Sequence, residues 1–139
     1  MKEKFKIFKR GIEIDFPLLL HSQRLRRFFA EVWKALPQQD RDQLNDSLIL
    51  VSDHAVLRLL ANEQDEQMRG GAACWGEGRL YIFLNASALK NKTSEHVRFV
   101  IAHELAHVYL KHTDRKGTEQ RHENEANRQA AAWKFPLPD

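Results

Sequence analysis

The sequence predicts an α+β fold, and three observations support that prediction. Short segments rich in alternating, aromatic or β-branched residues predict strands (IEIDF, SLILVS and RLYIFLN), whereas longer segments repeat apolar residues at helical spacing. Two helical segments follow one another at the C-terminal end, so the predicted order is strand, helix, strands, helix, helix. With 139 residues, of which 42% are hydrophobic and 29% charged, the chain is typical of a soluble protein with one domain, residues 1–139.

The N-terminal part is predicted to begin with a strand and a helix. Residues 12–16 alternate apolar and charged side chains, which indicates a short half-buried strand that Pro17 ends. From about residue 18 to residue 36 the apolar residues recur at helical spacing, and Pro37 ends this helix. The polar segment PQQDRDQLND that follows has room for one short helix.

The middle of the chain alternates between segments that predict strands and a segment that predicts a helix. Residues 47–52 are a candidate for a buried strand, and Asp53 is predicted to cap a helix that extends to about Gln67. Glycines punctuate the next segment, which indicates a hairpin that turns at residues 76–78. The hairpin is predicted to continue as a strand over residues 79–85, which are rich in aromatic and aliphatic side chains.

Two helices are predicted to complete the chain. Ser94 is the candidate N-cap of a helix that extends to about His112, and Glu95 in its first turn is favoured by the helix dipole. Gly117 marks a loop. The last helix covers about residues 118–134 and is stopped by the segment FPLP.

Charge, cysteine content and hydropathy reduce the number of functional classes to which the protein can belong. The chain has 22 Lys and Arg against 19 Asp and Glu, a formal net charge of +3 at pH 7, which argues only weakly for nucleic acid as a direct partner. The arginines at residues 24–27 are interpreted as a solvated helix face. Cys74 is the single cysteine, and no apolar run approaches the roughly 20 residues of a membrane helix. Without a signal-peptide pattern, the expected location is the cytoplasm, with no membrane association.

The strongest chemical signal is the segment RFVIAHELAHVYLKH, residues 98–112, which contains the motif H-E-x-x-H. His103 and His107 stand about one helical turn apart, with roughly 6 Å between their Cβ atoms, so both imidazoles can reach one metal ion. Glu104 lies beside them, where a carboxylate can hold a metal-bound water and take its proton. Apolar flanks are expected to bury these three residues, and a buried glutamate needs a partner. The pattern therefore favours a catalytic metal site over a surface helix with incidental histidines.

The third ligand of this site is expected to come from the last helix. The metzincin continuation is excluded, because Leu110 and Thr113 stand where that pattern requires glycine and histidine. Glu123 shares one helix face with Ala126 and Ala130, which are small enough for two helices to pack closely. A catalytic zinc site usually has three protein ligands and one open position, so Glu123 would complete a set of two histidines and one glutamate.

Other residues of the last helix remain candidates. Glu125 is the rival third ligand, but it lies about 200° away from Glu123 around the helix, so both cannot face one ion. His122 is a weaker ligand candidate. Asn127, one turn after Glu123, is placed to accept a hydrogen bond from a ligand imidazole and so to orient it.

A hydrolytic site also needs a donor for the oxyanion that forms at the attacked carbonyl. The sequence offers Tyr109 and His112 near the end of the motif helix, and also Tyr81 and His96. The strand at residues 79–85 has two interpretations. It is either an exposed edge that binds an extended peptide by main-chain pairing or a buried strand of the core.

The segments RFVIAHELAH and ENEANRQAAAWKFPLP together resemble the ImmA/IrrE-type metallopeptidases, over about residues 79–138. The resemblance implies a minimal zincin-like fold, in which a small mixed or antiparallel sheet packs on an active-site helix and a C-terminal ligand helix. It implies one Zn²⁺ held by His103, His107 and Glu123, with Glu104 as general base and Asn127 behind the ligands. Family members often cleave a repressor-type DNA-binding regulator, which implies a protein substrate on a separate chain.

The functional prediction is therefore a zinc-dependent endopeptidase that acts on a protein partner. One alternative keeps the metal but has no turnover, as a regulatory or interaction domain. Another is a SprT-like protease associated with nucleic acid, which would use the arginines of the first helix. Manganese or iron could also occupy two imidazoles and a carboxylate, so zinc is the expected metal and not the only one compatible with the ligands.

Overall fold

The computed structural model describes residues 5–6, 13–14, 18–47, 49–53, 71–76, 79–111 and 119–138. The strands in these ranges are β1 (Phe5–Lys6), β2 (Glu13–Ile14), β3 (Leu18–Leu19), β4 (Ile49–Ser52), β5 (Gly71–Gly76) and β6 (Arg79–Leu84). The helices are α1 (Gln23–Ala35), α2 (Gln38–Asn45), α3 (Ala86–Leu89), α4 (Ser94–Tyr109) and α5 (Glu119–Ala132). The order of strands and helices confirms the α+β class.

The main sheet is mixed and has the strand order β3-β4-β6-β5. Strands β3, β4 and β6 run parallel, and β5 pairs antiparallel with β6, with Gly71 opposite Leu84 and Gly76 opposite Arg79. Strand β6 is therefore flanked on both sides, which corrects the interpretation of residues 79–85 as an exposed edge. Residues 80–84 are all buried, as expected for a strand in the interior of a sheet.

The N-terminal strands differ from the sequence prediction. The strand predicted over residues 12–16 is limited to β2, which forms a separate antiparallel pair with β1. Leu18 and Leu19 were expected to begin a helix but form β3, which pairs with β4. The helix begins only at Gln23, because the Ser22 side chain accepts a hydrogen bond from the backbone N–H of Leu25 at 3.2 Å.

Asp53 has a role that the sequence did not predict. Its carboxylate accepts hydrogen bonds from the backbone N–H groups of His21 at 2.9 Å and Ser22 at 2.8 Å. The side chain thereby joins the end of β4 to the start of α1. The helix that Asp53 was predicted to cap, over about residues 53–67, lies outside the described residues apart from Asp53 itself.

Helix α4 is the central helix of the fold. Its N-cap is Thr93, whose side chain accepts a hydrogen bond from the N–H of His96 at 3.1 Å, so the cap lies one residue before the predicted Ser94. Leu110 is the C-cap, and the predicted end at His112 lies outside the described residues. Every residue from Phe99 to Val108 is buried, and the helix packs against α1, α2, α5, β5 and β6. None of the helices in the described ranges combines the length and apolar character that a membrane span requires.

One hydrophobic core joins the N-terminal elements to the C-terminal helices. It includes side chains of β3, α1, β4, β6 and α4, and it reaches Ala126 and Ala130 of the last helix and Trp133 directly after it. The last helix therefore packs its small-residue face on α4, as the sequence predicted. This close packing of α4 and α5 determines which side chains can meet between them.

Buried Asp40 ties α2 to the ends of α4 and α5. Only 8% of the residue is exposed, and its carboxylate accepts hydrogen bonds from Tyr109 Oη at 3.0 Å and from Trp133 Nε1 at 2.9 Å. The rings of Tyr109 and Trp133 also pack edge to face, with centroids 5.4 Å apart. Asp40 therefore helps to hold the far end of α5 in place relative to α4.

Replacement of Asp40 by alanine is expected to lower the free energy of unfolding by about 2–4 kcal/mol, because two donors lose their acceptor and an unpaired buried donor costs about 1–3 kcal/mol. Unfolding in urea measures this loss. Asp42→Ala is the matched control on the same helix, since Asp42 is exposed and accepts only from Gln38 Nε2 in the described contacts. The control is expected to cost less than about 0.5 kcal/mol. Equal losses in the two variants would show that the Asp40 junction does not stabilise the helix pair.

Candidate metal centre

Helix α4 places two imidazoles side by side. His103 and His107 are one turn apart on the same face, and their Nε2 atoms lie 3.1 Å from each other. The rings meet edge to face with centroids 4.6 Å apart. Both residues are buried, because the apolar residues around them place α4 in the core. Two imidazole nitrogens are thus held close together by one rigid helix.

Helix α5 brings a carboxylate to the same point. Glu123 places Oε1 2.8 Å from Nε2 of His103 and Oε2 2.9 Å from Nε2 of His107. The approach is possible because Ala126 and Ala130, both fully buried, let the two helix backbones come close. Half of the Glu123 side chain remains exposed, so the cluster lies at the protein surface and solvent can reach it.

The other candidates on α5 lie elsewhere. Glu125 pairs with Arg121 on its own helix, with 3.3 Å between Oε2 and Nε. His122 does not belong to the cluster. Within the described ranges, the His, Cys, Asp and Glu side chains whose ligand atoms converge within 4.8 Å of one another are those of His103, His107 and Glu123.

The spacing and chemistry of this donor set fit a divalent cation. Ligands about 2.0–2.1 Å from a tetrahedral ion lie about 3.3 Å from one another. The Nε2 atoms of His103 and His107 and the carboxylate oxygens of Glu123 lie 2.8 to 3.1 Å from one another. The three side chains therefore need to move apart only slightly to reach the spacing of zinc ligands. Two imidazole nitrogens and one carboxylate oxygen are ligands of catalytic zinc sites, which keep a fourth position open.

The electrostatics of the cluster favour positive charge between the ligands. Hydrogen bonds with His103 and with His107 hold the pKa of Glu123 far below its usual range, against the opposing effect of burial. Burial alone would lower the pKa of His103, but the hydrogen bond to Glu123 and the negative charges of Glu104 and Glu123 outweigh it and raise that pKa. A metal cation that binds here competes with a proton for the imidazole nitrogen of His103.

Glu104 lies in the wall of the cluster and is almost fully enclosed. Only 6% of the residue is exposed, although its position directly after His103 puts it beside both imidazoles. Burial raises the pKa of its carboxyl group, and positive charge on His103 and His107 opposes that effect. A carboxylate in this environment accepts a proton more readily than an exposed glutamate does.

Asn127, one turn after Glu123 on α5, lies near the imidazole of His103. It acts on the pKa of His103 as a side-chain hydrogen-bond partner and raises that pKa. The two atoms do not quite reach hydrogen-bond geometry, since neither Nδ1 of His103 nor Oδ1 of Asn127 has a partner within the described residues. Both atoms are buried, so a small shift that pairs them would remove two unsatisfied polar groups.

Phe99 forms a wall of the cluster that the sequence analysis did not identify. Its ring lies against the imidazole of His103, with centroids 5.4 Å apart and an interplanar angle of 45°. The signal was present in the spacing, because Phe99 precedes His103 by one helical turn and shares its face. The aromatic ring limits access of water to this side of the ligand.

The predicted oxyanion donors have different surroundings in the described part of the chain. The hydroxyl of Tyr109 donates to Asp40, which raises the pKa of Tyr109, so it is directed towards α2 instead. His112 lies outside the described residues. Tyr81 is buried on β6. His96 is on the same face of α4 as His103 but is separated from it by Phe99, and burial together with Lys92 lowers its pKa.

Comparison with known proteins places this cluster in a family. A family model described as Peptidase_M78, IrrE N-terminal-like domain, matches residues 53–139, which include β5, β6 and both helices that carry the cluster. Searches of the curated proteins and of the solved structures found no significant match. The match confirms the family that the sequence motifs resembled. Because it spans more than half of the chain, the protein belongs to the Peptidase_M78 family of IrrE N-terminal-like domains.

Proposed function

We propose that this protein is a zinc-dependent endopeptidase that hydrolyses a peptide bond in a protein partner. The observation that carries the proposal is the convergence of His103, His107 and Glu123 at one point, with Glu104 in the wall of the same cluster. The family match supports a metallopeptidase-like domain. The mixed sheet packed against α4, with α5 as the second helix of the site, supports a minimal zincin-like architecture.

Each residue of the cluster has a distinct role in the proposed reaction. His103, His107 and Glu123 would hold the zinc ion, which when bound supplies a Lewis acid for activation of water and of the scissile carbonyl. Glu104 accepts a proton at its carboxylate and can later donate it to the leaving amine. After a small shift that pairs the two atoms, Asn127 would accept the Nδ1–H of His103 and so fix the orientation of that imidazole. Phe99 packs against the same ring and restricts water.

The ligand chemistry supports zinc as the metal. Two neutral imidazoles and one carboxylate match the donors that catalytic zinc takes, and three protein ligands leave a position open for reaction. Manganese and iron also accept these donors, so the choice among the metals depends on their relative affinity and availability. Measurement of the metal content of the protein purified from its own cells shows which of these metals it binds.

The proposed substrate is a repressor-type DNA-binding regulator on a separate chain. The resemblance to ImmA/IrrE-type peptidases supports this substrate class. Cytoplasmic location is part of the same proposal, and a single cysteine in the sequence is compatible with it.

The two alternatives receive less support from the geometry. A metal site with only a structural or regulatory role has no need of a carboxyl group buried beside the ligands, as Glu104 is. A role in nucleic-acid binding would use the arginines of α1. Arg24 donates to the backbone carbonyls of Leu89 at 2.9 Å and Lys92 at 2.7 Å, and Arg24, Arg27 and Arg98 surround the buried ring of Phe28. These contacts give Arg24 and Arg27 of α1 a structural role.

Mapping of new protein N-termini by mass spectrometry tests the proposed function. The wild-type protein and His107→Ala are expressed at equal levels in cells of its own source from which the natural copy has been deleted. We expect a small set of new N-termini in the wild type that the variant lacks, because loss of one ligand removes the metal. His122→Ala is the matched control, since that histidine is on α5 but outside the cluster, and it is expected to retain the wild-type set. Identical sets in the wild type and His107→Ala would contradict a peptidase function.

A further inference from the structure

Strand β5 passes very close to Glu104 at its first residue, Gly71. A methyl group attached to Cα of Gly71 would lie 3.2 Å from Cγ and 3.4 Å from Oε2 of Glu104. It would also lie 2.7 Å from the carbonyl oxygen of Phe83. The backbone of β5 therefore occupies the space directly against the buried carboxylate, and the absence of a side chain at residue 71 permits this approach.

Neither side of this contact can easily move away. Gly71 is opposite Leu84 in the antiparallel pair of β5 and β6, and β6 is held on its other side by β4. Glu104 is fixed by α4, which is buried along most of its length and also packs against β5. A side chain at residue 71 must therefore displace the start of the strand, the glutamate, or both.

We propose that Gly71 is a positioning residue for Glu104. Its bare backbone holds the carboxylate against α4 at the histidine cluster and leaves the carboxylate no alternative position on the strand side. The proposal rests on the proposed function as far as catalysis is concerned, but the steric contact itself does not depend on that function. It assigns to a residue outside the H-E-x-x-H motif the task of holding the proposed general base in place.

The catalytic consequence is a loss of turnover without a loss of metal. In Gly71→Ala the carboxylate is displaced by a fraction of an ångström or more, and misplacement by about 1 Å can cost about 10²-fold in rate. We expect kcat to fall by about 10- to 100-fold, with KM and zinc content close to the wild-type values. The probe is a peptide that spans a cleavage site found by the mapping of N-termini. A rise in KM with unchanged kcat, or wild-type values of both, would contradict the positioning role.

A double-mutant cycle on stability tests the contact without any assay of activity. The four proteins are the wild type, Gly71→Ala, Glu104→Ala and the double variant, each unfolded in urea. If the added methyl group presses on Glu104, Gly71→Ala raises the unfolding equilibrium constant by a smaller factor in the Glu104→Ala background than in the wild type, and the two factors differ by about fivefold or more. Leu18→Val is the control substitution, because β3 is at the opposite edge of the sheet from β5, and its effect is expected to be the same in both backgrounds.

Each result of the cycle is decisive. A Gly71→Ala protein that folds only when Glu104 is also replaced supports the proposal, as a large coupling does. Equal effects of Gly71→Ala in the two backgrounds, or failure to fold in both, would overturn it, because the clash with the Phe83 carbonyl would then suffice. A strong coupling in a protein that cleaves nothing would refute the proposed function and leave the contact established, whereas an active enzyme with no coupling would refute only the role of Gly71.

Discussion

Glu123→Gln is expected to weaken zinc binding by about a thousandfold, well beyond the 10- to 100-fold cost of losing a residue that only supports a ligand. The substitution keeps the size of the side chain but removes the negative charge that the two imidazoles face at 2.8 and 2.9 Å. It also removes a strong ligand of zinc, since a neutral amide oxygen binds the ion far more weakly than a carboxylate does. Competition for zinc against a chelator of known affinity measures the change.

Glu125→Gln is the matched control for this variant. Glu125 is two residues away on the same helix, pairs with Arg121, and has its carboxylate outside the cluster. Its replacement by glutamine removes the same charge from the protein and is expected to leave the affinity for zinc within about threefold of the wild-type value. If Glu125→Gln released the metal and Glu123→Gln retained it, the third ligand would be Glu125 and the packing of α5 on α4 would need a different rotation.

Glu104→Gln is expected to reduce the rate of peptide cleavage by about 10²- to 10⁴-fold, the range that general acid–base catalysis contributes. Glutamine fits the space between α4 and Gly71 but cannot accept a proton. Zinc content is expected to remain at the wild-type level, because His103, His107 and Glu123 form the cluster without Glu104. The measurement is the cleavage rate of a partner peptide at equal zinc occupancy, with Glu123→Gln as the comparison that should lose metal and activity together.

Two other results would change the assignment of Glu104. Cleavage at the wild-type rate by Glu104→Gln would exclude Glu104 as the general base. Loss of zinc from the same variant would show that its carboxylate binds the metal. The two results can be told apart because the cleavage rate and the zinc content are measured on one protein preparation.

The sequence carried most of the information about the proposed metal centre. The spacing of His103 and His107 depends only on helix geometry, and the flanking apolar residues predicted the burial that places the motif in the core. Ala126 and Ala130 predicted the face of α5 that packs on α4, and Glu123 lies on that face. These features are local, so periodicity within one or two helices is sufficient to predict them.

The contacts that were missed join residues that are distant in the chain. Asp40 meets Tyr109 and Trp133 only after three helices have packed, and no pattern around Asp40 indicates this. Strand β3 has two residues, too few for a period, and it is recognisable only from its pairing with β4. Gly71 was one of several glycines that punctuate its segment, and no local pattern indicates that Glu104 lies against it. The register and neighbours of a strand depend on tertiary packing.

Anomalous diffraction at the zinc edge, from crystals of the zinc-loaded protein, most directly tests whether one cation is held jointly by α4 and α5. A single strong peak is expected about 2.0–2.1 Å from Nε2 of His103, from Nε2 of His107 and from a carboxylate oxygen of Glu123. A peak bound by the two imidazoles with Glu123 directed to solvent, or no peak between the two helices in a protein that contains stoichiometric zinc, would contradict the proposed centre.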